Sequence, residues 1–280
     1  SAFDNSSAFY IYGKYSGNQE AKNKGLNLYR QTLEKFKNVD VNGVSNHGLG
    51  VTIGSYVYST YSLWDDLSVT DKDSTKVLIK RLAQDFYVGE RSGKGWVEKN
   101  EWPDSGYQGN SKAEENAWLA DGAAAIYNLF GDIGLDTNQR NKLNAMARCL
   151  AHHTLTTSAN DPPAADLLSA YPACPKHTQT LYDDFKMDNH GFSPNPIYSI
   201  SALHMLSRGA STYKIAGKAV PAEFHHNLAN FYNFGLKNKI DKNSYYFNIH
   251  QGGDWSGLTD SAYYGMFAFK YLKDLGVDLG

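Results

Sequence analysis

Two kinds of segment alternate along the chain, one amphipathic with many charged or amide residues and one nearly free of charge. In the amphipathic segments apolar residues recur at helical spacing, as at Leu26, Tyr29, Leu33 and Phe36. The segments of this kind are 18–36, 70–86, 136–155 and 221–238. The pattern predicts four helices that each keep one solvated face.

The charge-poor segments are rich in Gly, Ala, Ser and Tyr, and they begin near His47, Glu114, Asn195 and Leu258. A helix that is apolar on all sides is usually buried in the protein. The repeat of roughly 60–80 residues is too long for a short solenoid. The alternation therefore predicts an all-α fold, an incomplete (α/α) toroid of about four helical hairpins in which an outer helix precedes each inner one.

Few segments favour strands. The runs Gly93–Trp102 and Ser244–His250 have some strand character, but neither is sufficient for a sheet. No low-complexity linker divides the chain. We therefore predict that residues 1–280 form a single toroid domain with few or no strands.

Composition narrows the range of partners. The 280 residues are 41% hydrophobic, which is sufficient for a sizeable core. The net charge of -2 gives no electrostatic basis for binding nucleic acid. No apolar run approaches the ~20 residues that span a bilayer, so membrane insertion is not expected either.

The chain has two cysteines, Cys149 and Cys174, whose spacing fits no cysteine-based zinc site. They form either a disulfide or two buried thiols. Pro172 and Pro175 surround Cys174 in a loop that a covalent tether would stabilise, which favours the disulfide. A disulfide indicates an extracellular or periplasmic protein. No metal and no organic cofactor is expected.

Polar loops precede the four charge-poor segments, and in a toroid such loops converge at one end of the inner helices. Pro194 and Pro196 restrict the backbone of one of these loops between His190 and Tyr198. The candidate site residues are His47, Glu115, Asn116, Trp118, Asn189, His190, Asn195, Tyr198, His250 and Trp255.

Simpler explanations compete with each of these assignments. A histidine beside an apolar segment is more often structural than catalytic. The pairs His152–His153 and His225–His226 fall in amphipathic segments, and we expect them at the surface. The 20 Tyr, 13 Phe and 5 Trp are residue types that line sugar-binding grooves, but also ones that large cores bury.

The motif "EENAW" and the later motif "LYDDFKMDNHGFSPNPIYS" resemble polysaccharide lyases with an incomplete (α/α) toroid, such as hyaluronate, chondroitin and alginate lyases. The resemblance implies cleavage of a uronate-containing polysaccharide or oligosaccharide by β-elimination. It assigns the Asn, His and Tyr of the site to Asn116, His190 and Tyr198. Those enzymes usually add an arginine near the site, and here only Arg208 lies near the second motif in sequence.

The chemistry of β-elimination explains these residue types. The C5 proton of a uronate becomes acidic when hydrogen bonds from an amide or a protonated group stabilise the charge that develops on its carboxylate. A base then removes this proton and an acid protonates the leaving C4 oxygen, roles that His and Tyr can share.

Two alternatives remain open. A glycoside hydrolase of the α/α-barrel type would need paired carboxylates, for which Glu115 with Asp184 or Asp254 are candidates. A non-catalytic carbohydrate-binding domain would use Trp118, Trp255 and tyrosines as stacking surfaces.

Overall fold

The computed structural model describes residues 1–40, 46–88, 112–157, 161–188, 196–237 and 268–279, with only the backbone described at 46, 47, 196 and 197. Regular structure within these ranges is helical throughout, and they contain no strand. The prediction of an all-α fold is confirmed, and the helices are compatible with an (α/α) toroid. Both runs with strand character lie outside the described residues.

The helices follow one another as separate segments joined by loops. The α-helices of at least six residues are α1 Ala2–Ser16, α2 Gln19–Phe36, α3 Asn46–Leu63, α4 Val69–Arg81, α5 Ala113–Leu129, α6 Thr137–His152, α7 Ala165–Ala170 and α8 Pro196–Ile215. The other helical segments are the 3-10 turns Trp64–Asp66 and Ala222–His225, the π-helical segments Leu82–Val88 and Phe231–Leu236, and the three-residue α-helical turn Leu228–Asn230. Residues 268–274 are also helical.

Three of the predicted buried helices begin within one residue of the predicted positions. Helix α3 begins one residue before His47, α5 one residue before Glu114, and α8 one residue after Asn195. The fourth predicted start, Leu258, lies outside the described residues. The small residues 123–125 in the middle of α5 are fully buried, as a helix apolar on all sides requires.

Contacts within the chain divide it into two compact units, residues Ser1–Lys94 with Gly122–Asn144, and residues Gly95–Asp121 with Ala145–Gly280. Helices α5 and α6 each contribute residues to both units. The single toroid domain stays a prediction.

The first unit opens with a helical hairpin formed by α1 and α2. Helix α1 begins with a capping box between Ser1 and Asp4 and ends at Gly17, whose φ of 74° suits glycine. At Gly25 a Cβ atom would lie 2.5 Å from the backbone nitrogen of Tyr10. Glycine is therefore required for the two helix backbones to approach this closely.

Aromatic rings form the core of the first unit. The ring of Phe3 packs against Tyr29, Phe36 and Tyr56 at centroid distances between 4.9 and 5.9 Å. The buried Tyr29 hydroxyl lies 2.7 Å from the hydroxyl oxygen of Thr60, which satisfies its polar end. These aromatic residues are therefore part of the core, which is one of the two explanations of the aromatic composition.

In the second unit α5 and α8 are joined by a buried ion pair. The Nε of Arg208 donates to Oδ2 of Asp121 at 2.9 Å, and its Nη2 donates to the same oxygen. One residue further along α8, a Cβ atom at Gly209 would lie 2.7 Å from the Phe224 ring and 3.3 Å from the Cα of Asp121. A small residue at 209 thus permits the close approach on which the ion pair depends.

The predicted helix over residues 221–238 is interrupted. A short 3-10 turn covers Ala222–His225, and the chain then passes through Asn227 at a φ of 52°. Asn227 tolerates this left-handed conformation, and its side chain donates hydrogen bonds to Asp161 and to the Leu155 carbonyl. Tertiary hydrogen bonds therefore override the helical pattern at this position.

Cys149 at the end of α6 and Cys174 are joined by a disulfide with a Cα–Cα distance of 5.9 Å, as the sequence predicts. None of the described helices has the length and apolar character needed to cross a bilayer.

We expect thiol titration of the denatured, unreduced protein to find no free thiol, and titration after reduction to find two per chain. Because the disulfide closes a loop with a separation of 25 residues, the double variant Cys149→Ser/Cys174→Ser should lose ~3 kcal/mol of unfolding free energy. Two free thiols in the unreduced protein would contradict the pairing.

Candidate functional site

The structure describes the side chains of four candidate site residues, which all lie in the second unit. These are Glu115, Asn116, Trp118 and Tyr198. The other candidates lie outside the described residues or, at His47, have only their backbone described. They are His47, Asn189, His190, Asn195, His250 and Trp255.

The first turn of α5 buries three consecutive polar side chains, which are Glu114, Glu115 and Asn116. Lys112, just before the helix, has a φ of 58°, which is uncommon for a residue with a side chain. Its Nζ lies 3.5 Å from Oε1 of Glu115. Backbone strain of this kind often occurs at functional sites.

Burial raises the pKa of Glu114 well above its ordinary value, and the charge of the adjacent Glu115 raises it further. This direction favours the protonated form of Glu114, and a protonated carboxyl group can donate a hydrogen bond.

Replacing Glu114 by Gln should flatten the dependence of stability on pH. The pKa of Glu114 is higher in the folded protein than its ordinary value of 4.5, so the unfolded chain releases its proton first as pH rises. The contribution of Glu114 to the free energy of unfolding is therefore complete below the ordinary pKa of 4.5. Above that pH it declines, by up to ~1.4 kcal/mol per pH unit.

Urea unfolding at a series of pH values between about 4 and 8 measures this slope. Glu20→Gln is the control, because Glu20 is exposed in the first turn of α2. Equal slopes in the native protein and in Glu114→Gln would contradict the assignment.

Tyr198 lies in the first turn of α8 and is half-buried. Burial raises the pKa of its hydroxyl, and the charges of Glu114 and Glu115 raise it further. The hydroxyl therefore remains protonated at neutral pH. The interaction shows that residues of the two motifs, more than 80 positions apart in sequence, lie close enough to influence one another.

One turn further along both helices, the indole Nε1 of Trp118 donates to the Ser201 hydroxyl at 3.2 Å. This hydrogen bond links α5 to α8 next to the acidic pair. Trp118 is itself only partly buried, so part of its surface is accessible to a ligand.

Asn116 is fully buried, and its Nδ2 donates to the backbone carbonyl of His153 at 3.0 Å. This bond ties the first turn of α5 to the end of α6.

The prediction that His152 and His153 lie at the surface is wrong, because they are 5% and 0% exposed. Burial lowers the pKa of His153 to about 4, and its Nε2 donates to the Pro175 carbonyl at 2.8 Å.

Two further candidates have structural partners. Asp184 is half-exposed and pairs with Lys186, which is a local surface interaction. Arg208 is held by Asp121. Arg208 lies ten residues beyond Tyr198 on α8, which corresponds to roughly 15 Å along the helix axis. The rise along α8 therefore separates Arg208 from the first turn of that helix, and Asp254 lies outside the described residues.

Glu114 was not among the residues selected from sequence, where it looked like an ordinary acid at a helix start. Two adjacent acids at the start of a segment whose only other charged residue is Asp121 were the available signal. Comparisons with models of protein families, with curated proteins and with solved structures gave no match to the chain.

Proposed function

We propose that the chain is a polysaccharide lyase that cleaves a uronate-containing polysaccharide by β-elimination. The observation that carries the proposal is the hydrogen bond from Trp118 to Ser201, which holds the start of α5 against the start of α8. It joins the motif at the start of α5 to the motif at the start of α8, and the resemblance to lyases rests on these two motifs. The disulfide supports an extracellular or periplasmic location for this activity.

Tyr198 is suited to protonate the C4 oxygen of the leaving sugar. Its raised pKa keeps the hydroxyl protonated before the reaction, and its partial exposure allows contact with substrate. His190, eight residues earlier in the chain, would remove the C5 proton. Division of acid and base between two groups satisfies the proton balance of the elimination without a cofactor.

The substrate carboxylate needs hydrogen-bond donors as negative charge develops on it. Asn116 takes this role in the resemblance. In the structure its side chain is fully buried and its Nδ2 donates to the His153 carbonyl, so the role requires this side chain to become exposed when substrate binds. The raised pKa of Glu114 favours a protonated carboxyl group in the same helical turn, which would be a second donor on the same condition, because this side chain is 1% exposed. Such a donor would compensate for the distance of Arg208 from the first turn of α8.

A screen of uronate-containing polysaccharides for ultraviolet absorbance tests the proposal. Elimination leaves an unsaturated uronate that absorbs, whereas hydrolysis yields reducing ends without this absorbance. Neutral glucans and galactans, which lack a uronate, are the substrate controls. If the products were reducing ends without this absorbance, the protein would be a glycoside hydrolase and the lyase proposal would be wrong.

A non-catalytic carbohydrate-binding function is the second candidate. In the first unit a cavity of about 460 Å³ is lined by Tyr61, Trp64 and Phe130, with Lys76 at its edge. The rings of Trp64 and Phe130 lie 5.3 Å apart. Aromatic surfaces of this kind stack on sugars, so retention of the protein on a polysaccharide gel without any product would favour this function over the lyase.

A further inference from the structure

Two histidines and one aspartate from distant parts of the chain meet in the second unit. They are His152, Asp161 and His226, and one potential ligand atom from each lies within 4.8 Å of the other two. The Nε2 of His226 lies 2.8 Å from Oδ2 of Asp161, and the rings of His152 and His226 stack at 4.0 Å. We refer to these three residues as the His–Asp–His cluster.

Neighbouring groups fix the orientation of the cluster. The Nδ2 of Asn227 donates both to Oδ2 of Asp161 at 3.1 Å and to the Leu155 carbonyl at 2.8 Å. Asn227 adopts its left-handed φ of 52° to reach these oxygens. A carboxylate held by a second hydrogen bond in this way resembles the outer-shell support that metal ligands usually have.

The electrostatic surroundings favour a cation. His152 is the last residue of α6, where the helix dipole places partial negative charge. One turn earlier Arg148 pairs with both Asp166 and Glu223. With Asp161 included, these groups comprise three carboxylates and one guanidinium, an excess of negative charge.

We propose that the His–Asp–His cluster binds one Zn²⁺ ion per chain. Two imidazole nitrogens and one carboxylate oxygen are a ligand set typical of zinc, with a fourth position left for water. The ion would replace the hydrogen between His226 and Asp161, and also the hydrogen that His152 Nε2 donates to the Asp161 backbone carbonyl at 3.1 Å. Both rings would then coordinate through Nε2 as neutral imidazoles protonated at Nδ1. Ligand atoms ~2.0 Å from a tetrahedral ion lie roughly 3.3 Å apart, so the 2.8 Å pair needs only a small opening.

The site is accessible enough to load. The side chains of His226 and Asp161 are 22% and 19% exposed, while His152 is buried behind them. The bound ion would join the end of α6 to the segments that carry Asp161 and His226. This role does not depend on the proposed lyase activity.

The test is calorimetric titration of chelator-treated full-length protein with zinc chloride, followed by the metal content after gel filtration. We expect one ion per chain and a zinc-dependent rise in Tm. The titration is done without reductant, because reduced Cys149 and Cys174 would form a competing site with His153. Absence of both binding and a Tm rise would overturn the proposal.

Matched variants locate the ion. His226→Ala and Asp161→Ala should lose binding, whereas His177→Ala, which removes an exposed histidine, should retain it. Asn227→Gly keeps the left-handed backbone accessible while removing the supporting amide, and should weaken binding by ~10–100-fold. Unchanged affinity in His226→Ala and Asp161→Ala would place the ion elsewhere, and so would loss of binding in His177→Ala.

Discussion

Replacing Tyr198 by Phe is expected to reduce lyase turnover by at least ~100-fold, because the variant lacks the hydroxyl that we propose as the proton donor. The ring remains, so packing at the start of α8 and sugar binding should persist. The measurement is the initial rate of ultraviolet absorbance on the best polysaccharide from the screen, together with affinity for the same polysaccharide. The raised pKa of Tyr198 further predicts that the native rate does not increase with ionisation of this group near neutral pH.

Tyr12→Phe is the matched control, since it removes the same hydroxyl from a tyrosine that is 60% exposed on α1. It should have native activity. His190→Ala should match the loss in Tyr198→Phe if the two residues act as a base and an acid in one reaction. Near-native rates in both variants would show that the activity resides elsewhere in the chain.

Replacing Asp121 by Ala is expected to lower the free energy of unfolding by ~3–5 kcal/mol. The Asp121 side chain is 1% exposed, and its removal leaves the Arg208 guanidinium, itself only 19% exposed, without its carboxylate partner. Guanidinium chloride unfolding followed by circular dichroism measures the loss. The effect should be large because an uncompensated buried charge is more costly than the absence of the whole pair.

Two controls separate this explanation from a general sensitivity of the fold. The double variant Asp121→Leu/Arg208→Met replaces the pair by apolar side chains and should recover most of the lost stability. Asp132→Ala disrupts a pair with Arg140 in which Asp132 is 97% exposed, and should change stability little. If Asp121→Ala were as stable as Asp132→Ala, the ion pair would not be important for the second unit.

The buried helices could be located from sequence because their composition is constrained along the entire segment. A run such as Ala123–Ala125, without charge and with small side chains, is compatible with close packing on every side. Helix α1 was not delineated, although Ser1, Asp4 and Gly17 form recognisable caps. Its exposed residues include Tyr12 and Tyr15, which obscure the amphipathic pattern.

The details of the site could be predicted only in part. The hydrogen bond between Trp118 and Ser201 joins the starts of α5 and α8, which is compatible with the convergence of loops that a toroid implies. The burial of Glu114 depends on packing that no local pattern reports. The break at Asn227 depends on partners 66 and 72 positions away. The His–Asp–His cluster was missed for the same reason, since His152 and His226 each look like surface residues of an amphipathic helix.

The disulfide between Cys149 and Cys174 also determines how damage to the backbone would be detected. A protease that cuts once between these residues leaves two fragments that remain covalently joined. On a gel without reductant the cut chain keeps the mass of the intact chain, and the fragments separate only after reduction. The segment that supplies Asp161 lies inside this closed loop, so a single nick there would not release it from the rest of the molecule.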